Sequence, residues 1–208
     1  MKKYIKVIMC TMVSFTSCSE NNNFTTDELS IINGCDSIMR VYTTQDPGDM
    51  TILRNRSRDL SYEALVSDEF KRMADLMVAT VTHPSQDGVG IAAPQVGINR
   101  NVIVVQRFDK GITKEDGCTE FPFEVYANIR ITWASDSLSV GSEGCLSVPD
   151  MSGDVARSTK IEIEYADIRN PEQPLKMIQE TIEGFTAVIF QHETDHLNGI
   201  LYTDRLAQ

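Results

Sequence analysis

Positive charge is scarce in this sequence of 208 residues, which carries 19 lysines and arginines against 30 aspartates and glutamates. The formal net charge is -11 at pH 7. So acidic a chain is repelled by a phosphate backbone, which argues against nucleic acid as a partner. It is also repelled by an anionic membrane surface, so attachment to a membrane requires another device. The length suits one domain with a sizeable core.

Long apolar runs are also missing, and the run at residues 7–15 is too short to span a bilayer. It follows a basic stretch and leads to a small residue directly before Cys18, which resembles a bacterial lipoprotein signal. We therefore expect residues 1–17 to be a signal peptide, Cys18 to be lipidated and residues 18–38 to form a flexible tether. This predicts an envelope lipoprotein. The alternatives are an ordinary signal peptide, a buried N-terminal helix or a cytoplasmic protein.

Histidine is the third scarce feature, since the chain has only three and two of them lie in residues 191–196, Gln-His-Glu-Thr-Asp-His. On a helix, His192 and His196 share one face and can bind one metal ion. The neighbouring Glu193 can exchange a proton with a water on that metal. The bland alternative is an exposed helix with two stray histidines. The remaining histidine, His83, lies beside a proline in a polar loop, where we expect it to be solvated.

Two histidines do not complete a metal site, because catalytic centres of this type usually take three protein ligands. A third ligand downstream is missing, since Tyr202 stands where one class of such enzymes has a histidine and no glutamate follows His196. The remaining candidates are Asp204 and, upstream, Cys145. A thiolate with two imidazoles suits zinc or ferrous iron. A small buried cysteine is the alternative interpretation of Cys145.

Residues 88–97, Gly-Val-Gly-Ile-Ala-Ala-Pro-Gln-Val-Gly, are dense in small side chains and let the backbone approach another group closely. No Gly-Lys-Ser/Thr follows, so phosphate binding is disfavoured. The alternative is a tight turn packed on the core. Gln95 is the one polar side chain in this patch and a candidate hydrogen-bond donor to a ligand.

The apolar periodicity predicts an α+β fold with mainly antiparallel sheets around a central metal-binding helix. A helix is expected over residues 61–81, starting at Ser67 if its first turns are irregular. A turn is expected at residues 47–49 and a loop at 108–121. The predicted strands are 39–42, 101–106, 123–133, 160–165 and 176–182. Cys35 and Cys118 can pair or remain free thiols.

Three segments together resemble the signature motifs of the peptide deformylases: residues 88–95, residues 143–147 (Glu-Gly-Cys-Leu-Ser) and residues 191–196. They occur in the family's order and at similar spacing, and the resemblance runs from about Met39 to Leu206. It implies a peptide-deformylase-like fold for residues 39–208. It also implies removal of the formyl group from N-formylmethionyl peptides, usually with Fe²⁺, for which Zn²⁺, Ni²⁺ or Co²⁺ can substitute.

The resemblance assigns roles to the matching positions. The metal ligands would be Cys145, His192 and His196, with a water or hydroxide in the fourth position. Glu193 would take the proton of that water and later pass it to the leaving amine.

Further roles concern the substrate. Gln95 and the backbone N–H of Leu146 would stabilise the tetrahedral oxyanion. The backbone of Gly90 would hold an extended peptide, as an added strand pairs with a sheet edge. The apolar pocket for the methionine side chain would be lined by Ile91, Val188 and Ile189.

The expected enzyme acts as a monomer on formylated peptides, and two other functions remain open. A metallopeptidase could use the same centre on ordinary peptide bonds, although the missing downstream ligand argues against it. A non-catalytic envelope lipoprotein could keep the fold as a binding module, although intact Glu193 and Gln95 argue against that. The export signal is unusual for this chemistry, since formylated nascent chains are cytoplasmic; an exported enzyme would meet secreted or foreign formyl peptides.

Overall fold

The structure is a computed structural model that describes residues 23–207. The predicted signal peptide and Cys18 lie outside the described residues. Within residues 23–207, no helix is long and apolar enough to cross a membrane.

Five helices and ten strands make up the described fold, which confirms the α+β prediction. The helices are α1 (Thr26–Asn33), α2 (Pro47–Leu53), α3 (Tyr62–Leu65), α4 (Asp68–Val81) and α5 (Gly184–Leu197). The first five strands are β1 (Gly90–Ala92), β2 (Val102–Gln106), β3 (Ile112–Thr113), β4 (Thr119–Glu120) and β5 (Phe123–Ala127). The others are β6 (Arg130–Ala134), β7 (Leu138–Cys145), β8 (Val148–Ser158), β9 (Lys160–Ala166) and β10 (Met177–Glu183).

Two antiparallel three-stranded sheets, β1-β2-β5 and β10-β9-β6, enclose helix α5. Ala187 and Phe190 of α5 are fully buried among residues of both sheets. Strand β2 is buried on both faces. Alternate residues of a strand point to opposite sides, so successive residues of β2 reach different clusters. Its Ile103 packs in the cluster around α5, while Val104 packs in the cluster around α4. Helix α5, which carries the predicted metal-binding motif, is therefore central, as predicted.

Several predicted boundaries are confirmed. The helix predicted over residues 61–81 divides into α3 and α4, and Ser67 caps α4 by accepting from Phe70 N–H at 3.1 Å. Helix α5 ends at Asn198, followed by Gly199 with a left-handed φ of +71°. His83 is exposed in its loop, as predicted, and Cys35 and Cys118, whose pairing the sequence left open, are free thiols.

Other boundaries were wrong. Residues 39–42 have no regular secondary structure and pair with no described strand. The turn expected at 47–49 is the first turn of α2, which is capped by Asp46 and has Pro47 at its start. Residues 123–133 form two strands in different sheets, since the chain changes direction at Asn128 with a φ of +52°. The loop expected at 108–121 contains the short β3–β4 hairpin.

The prediction of a flexible tether over residues 18–38 is also wrong for α1, because this helix belongs to the folded body. Thr25 and Glu28 form a capping box at its start. Glu28 also accepts hydrogen bonds from the fully buried Arg100 at 2.8–3.0 Å. Ile32 is buried in the cluster around α4. A buried ion pair and an apolar contact therefore hold this helix on the body.

Candidate active site

Hairpin β7–β8 and helix α5 bring the three predicted metal ligands together. Cys145 is the last residue of β7, directly before the two-residue turn at residues 146–147. The ligand atoms of Cys145, His192 and His196 lie within 4.8 Å of one another. Cys145 Sγ is 3.2 Å from His196 Nε2. Two side chains spaced i, i+4 on the helix and one at the end of the hairpin therefore point to the same place.

A carboxylate fixes the orientation of the first histidine. His192 Nδ1 is 2.8 Å from an oxygen of Glu143, which turns Nε2 towards the other ligands. Glu143 is itself held by two hydrogen bonds from Arg157, at 2.7 and 2.9 Å. This arrangement fixes the ring plane, and in a neutral His192 it favours the tautomer with its proton on Nδ1, which leaves Nε2 free for a metal ion.

The same arginine connects the hairpin to the helix. Arg157 donates to Asp195 at 2.5 Å, and Arg205 binds the same carboxylate at 2.6 and 2.7 Å. This buried network escaped the sequence analysis. Its acidic members lie inside two of the quoted motifs, and the buried arginine could have been sought as their counter-ion. Asp204 pairs with Arg54 and is not part of the ligand cluster.

The electrostatics favour a neutral His196 and an ionised Glu143. Burial lowers the pKa of His196 well below its ordinary value, and His192 acts in the same direction. Burial opposes the charged form of Glu143, but hydrogen bonds from Arg157 and His192 outweigh it and lower its pKa to about 2. Burial raises the pKa of Glu193 to about 7, although nearby His192 opposes the shift. A raised pKa favours proton uptake by Glu193.

Gln95 faces the ligand cluster with its amide in a fixed orientation. Its Oε1 accepts a hydrogen bond from Ala92 N–H at 2.8 Å. Its Nε2 therefore points the other way, 3.2 Å from Ser147 Oγ and 3.5 Å from Cys145 Sγ. This position of the Gln95 amide is consistent with its predicted role as a hydrogen-bond donor to a ligand.

A cavity of about 660 Å³ opens beside the ligand cluster. Of the predicted site residues, Gly90, Gln95, Cys145, Leu146, Val188, Ile189, His192 and Glu193 line it. Ile91 does not, which corrects its predicted place in the methionine pocket. Side chains alternate along β1, so Gly90 faces α5 while Ile91 is fully buried in the cluster around α4.

Two apolar residues of the cavity were missed. Val89 and Phe185 both line it and remain partly exposed. The Phe185 ring lies 5.2 Å from that of Phe108. The place of Phe185 next to the start of the predicted metal-binding helix could have indicated a position at the rim of the cavity.

The donor set fits a divalent metal ion. One thiolate and two imidazoles form an open three-ligand site of the catalytic type. Glu193 adds a buried carboxylate whose Oε2 has no hydrogen-bond partner among the described residues. An unpaired buried oxygen beside such a cluster is suited to a water that the ion and the carboxylate share.

Comparison with known proteins gives one consistent result. A sequence model described as polypeptide deformylase matches residues 38–208. A peptide deformylase of Leptospira biflexa is 40% identical over 155 residues, which cover 74% of this chain and 82% of that protein. A peptide deformylase of a Caulobacter species is 34% identical over 172 residues, covering 83% of this chain and 90% of that protein.

Solved structures agree. A class I type b peptide deformylase from Acinetobacter baumannii, crystallised with Met-Ala-Ser bound, aligns with a TM-score of 0.68 and 33% identity, over 83% of this chain and 100% of that one. The peptide deformylase of Thermotoga maritima aligns with a TM-score of 0.66 and 30% identity, over 83% and 100% of the two chains. On this fold, this site and these matches, the chain belongs to the peptide deformylase family, whose enzymes remove the formyl group from nascent peptides.

Proposed function

We propose that this protein is an Fe²⁺-dependent hydrolase that removes the formyl group from N-formylmethionyl peptides and releases formate. The observation that carries the proposal is the convergence of Cys145, His192 and His196 within 4.8 Å. Glu193 and Gln95 line the same cavity. The Acinetobacter relative binds Met-Ala-Ser, the peptide that deformylation of formyl-Met-Ala-Ser would leave.

The proposed ion is Fe²⁺, with Zn²⁺, Ni²⁺ or Co²⁺ as substitutes, since a thiolate and two imidazoles accept all four. When bound, the ion supplies a Lewis acid that acidifies a water and polarises the formyl carbonyl. Thiolate ligation makes the site sensitive to oxidation, which argues for work without oxygen.

Glu193 is the proposed proton carrier. It is buried beside the predicted metal ligands, and burial raises its pKa above the ordinary value, which favours its taking up a proton. It would accept the proton of the attacking water and then donate it to the amine that leaves as the formyl C–N bond breaks. The mass and charge of the reaction balance with water as the only co-reactant.

Gln95 and Leu146 are the proposed oxyanion donors. The hydrogen bond from Ala92 N–H fixes the Gln95 carbonyl, so its NH₂ group points towards Ser147 and Cys145 before substrate arrives. Leu146 follows Cys145 directly, which brings its backbone N–H close to the ligand cluster. Donors placed in advance stabilise developing negative charge without reorganisation.

The cavity suits an extended peptide with an apolar first side chain. Gly90 belongs to β1, which pairs with β2 on one side. The other edge of β1 has backbone N–H and C=O groups that can pair with an extended substrate. Val188 and Ile189 line the cavity and would contact the methionine side chain, joined by Val89 and Phe185 in place of Ile91.

We also propose that Cys18 is acylated, that the enzyme is held as a monomer in the cell envelope, and that its substrates are exported or foreign formyl peptides. The support is the basic stretch, short apolar run and Ser17-Cys18 junction of the sequence. Membrane fractionation of wild type and Cys18→Ala tests this, and unchanged membrane association of Cys18→Ala would contradict it.

The activity is tested by measuring formate release from formyl-Met-Ala-Ser, using residues 19–208 loaded with Fe²⁺ without oxygen. We expect formate from the wild type and loss in Glu193→Ala and Cys145→Ala, with metal retained only in the former. A wild type that holds metal but releases no formate would contradict the proposal. Cleavage of unformylated peptides would instead favour a metallopeptidase.

A further inference from the structure

The folded body begins very close to the proposed lipid attachment site. Asn23 is already docked, since its carbonyl accepts from Arg100 and its Oδ1 accepts from Ser61 Oγ at 2.5 Å. Only residues 19–22 separate Cys18 from Asn23 in the sequence. Fully extended, that stretch spans at most about 18 Å. A body of this size is about 40 Å across, so an acyl group on Cys18 restricts which face can meet the bilayer.

The chain enters the body beside an arginine-bearing loop, residues 54–58, which follows α2. Arg58 forms a backbone bridge with Arg100, the residue whose side chain holds Asn23. Arg56 and Arg58 are exposed, and neither has a carboxylate partner in the part of the chain that the structure describes. These two exposed cations lie at the entry point of a chain whose net charge is -11.

Three of the acidic groups around this loop are neutralised by ion pairs. Asp204 pairs with Arg54, Asp59 pairs with Arg130 and Glu28 pairs with Arg100. Asp27 and Glu63 are exposed acids on the neighbouring helices α1 and α3. Arg56 and Arg58 are the cations that this loop offers, and guanidinium groups can bind phosphates with two parallel hydrogen bonds.

We propose that the face bearing Asn23, Arg56 and Arg58 lies against anionic phospholipid headgroups when the protein is anchored. The inference rests on the proposed acylation of Cys18 and goes beyond it, because it states how the body is oriented. The short connection brings this face to the bilayer, and the two unpaired arginines hold it there.

This orientation leaves the active site open to water. The loop packs on the C-terminal end of α5, where Ser57 N–H donates to Leu197 carbonyl at 2.8 Å. Gly184 and Phe185, at the other end of α5, line the cavity. A helix of this length separates its ends by about 20 Å. Peptides dissolved outside the membrane can therefore reach the cavity while the anchored face is covered.

The test is arginine footprinting of the full chain, lipidated in a bacterial host and reconstituted into vesicles of phosphatidylglycerol and phosphatidylcholine. Phenylglyoxal labelling of each arginine is compared with that of the Cys18→Ala chain in the same vesicles. We expect labelling of Arg56 and Arg58 to fall roughly tenfold or more on anchoring, given the attraction of two arginines to an anionic surface. Acetylation of Lys160 should not change, because this β9 residue pairs with Glu183 at the N-terminal end of α5, far from the loop.

Separate outcomes address the anchor and the face. A wild type that does not remain with the vesicles overturns acylation. A wild type that remains, but whose Arg56 and Arg58 label as fast as in Cys18→Ala, overturns the orientation alone. Equal protection in pure phosphatidylcholine overturns the role of anionic headgroups.

Matched variants use the same measurement. Arg56→Gln should reduce the protection of Arg58, because the headgroup contact loses one of its two charges. Lys160→Gln removes the same charge from the opposite end of α5 and should leave that protection unchanged. Equal effects of the two variants would contradict a local contact.

Discussion

The backbone of Gly90 lies directly against the carboxylate of Glu193: a Cβ added to Gly90 would be 2.5 Å from Glu193 Oε1. It would also be 2.9 Å from a methyl carbon of Ile189. Both distances are too short, so one methyl group must displace the proposed proton carrier. We expect Gly90→Ala to lower kcat/KM about 100-fold or more, in line with the usual contribution of a positioned base, without loss of bound metal.

The control for Gly90→Ala is Gly141→Ala, another glycine that lines the cavity. A Cβ on Gly141 meets nothing within 4 Å, so this variant should keep near wild-type activity. Steady-state formate release and metal analysis measure both variants. Full activity in Gly90→Ala would mean that Glu193 is not held in place by this contact.

Glu143→Gln should weaken metal binding by about 10- to 100-fold, the usual effect of losing a carboxylate behind a histidine ligand. The amide keeps the size of the side chain but removes the negative charge that faces His192 Nδ1. Competition with a chelator measures the affinity. Glu162→Gln, an exposed position on β9, is the charge-matched control and should bind metal like the wild type. Equal affinities of all three proteins would contradict this role.

Gln95→Leu should lower kcat by about 100- to 1000-fold with little change in KM, because an oxyanion donor acts mainly in the transition state. Ser147→Ala removes only the partner that lies 3.2 Å from Gln95 Nε2. The kcat of Ser147→Ala should fall by less than about tenfold, because the Ala92 hydrogen bond still fixes the Gln95 amide. A purely structural role of Gln95 would instead raise KM or lower the melting temperature along with kcat.

Glu124 should stabilise the fold at neutral pH and not in acid. Burial opposes its charged form, but hydrogen bonds from Tyr126 and Lys110 outweigh it and lower its pKa to about 2, below the ordinary 4.5. A folded-state pKa that is lowered gives stability that is present above about pH 5 and is lost as pH falls towards 2. We expect Glu124→Gln to reduce the free energy of unfolding by about 2–3 kcal/mol at pH 7 and much less near pH 2.

Denaturant unfolding at several pH values measures this dependence. Glu115→Gln, in an exposed loop, removes the same charge and should change stability little at any pH. A constant difference between Glu124→Gln and wild type across this range would contradict the prediction.

Much of the site was predictable from sequence because several of its residues lie close together in short motifs. The i, i+4 spacing of His192 and His196 requires a helix, and that helix is α5. The clean alternation of residues 160–165 likewise gave β9. Cys145 was a candidate because a thiolate suits a site with two imidazoles, and the family resemblance favoured it over Asp204.

The hairpin β7–β8 was not predictable from hydrophobicity, because its burial pattern is inverted. Val140 is exposed, whereas Glu143 and Arg157 are buried. Charged residues reach buried positions only when paired, and their partners come from distant parts of the chain. The break at Asn128 was hidden for another reason: apolar residues continue on both sides of it, and only its backbone conformation changes direction.

Helix α1 was missed because its anchor is also an ion pair. Glu28 contacts Arg100, which is 72 residues away and fully buried. Breaking such a pair leaves an uncompensated buried charge, which typically costs about 3–5 kcal/mol. We expect Glu28→Ala to lower the free energy of unfolding by that amount, measured by denaturant unfolding. Asp27→Ala, an exposed neighbour in the same helix, should cost less than about 1 kcal/mol. Equal, small effects of both variants would mean that the chain before Asn33 is a loose tether after all.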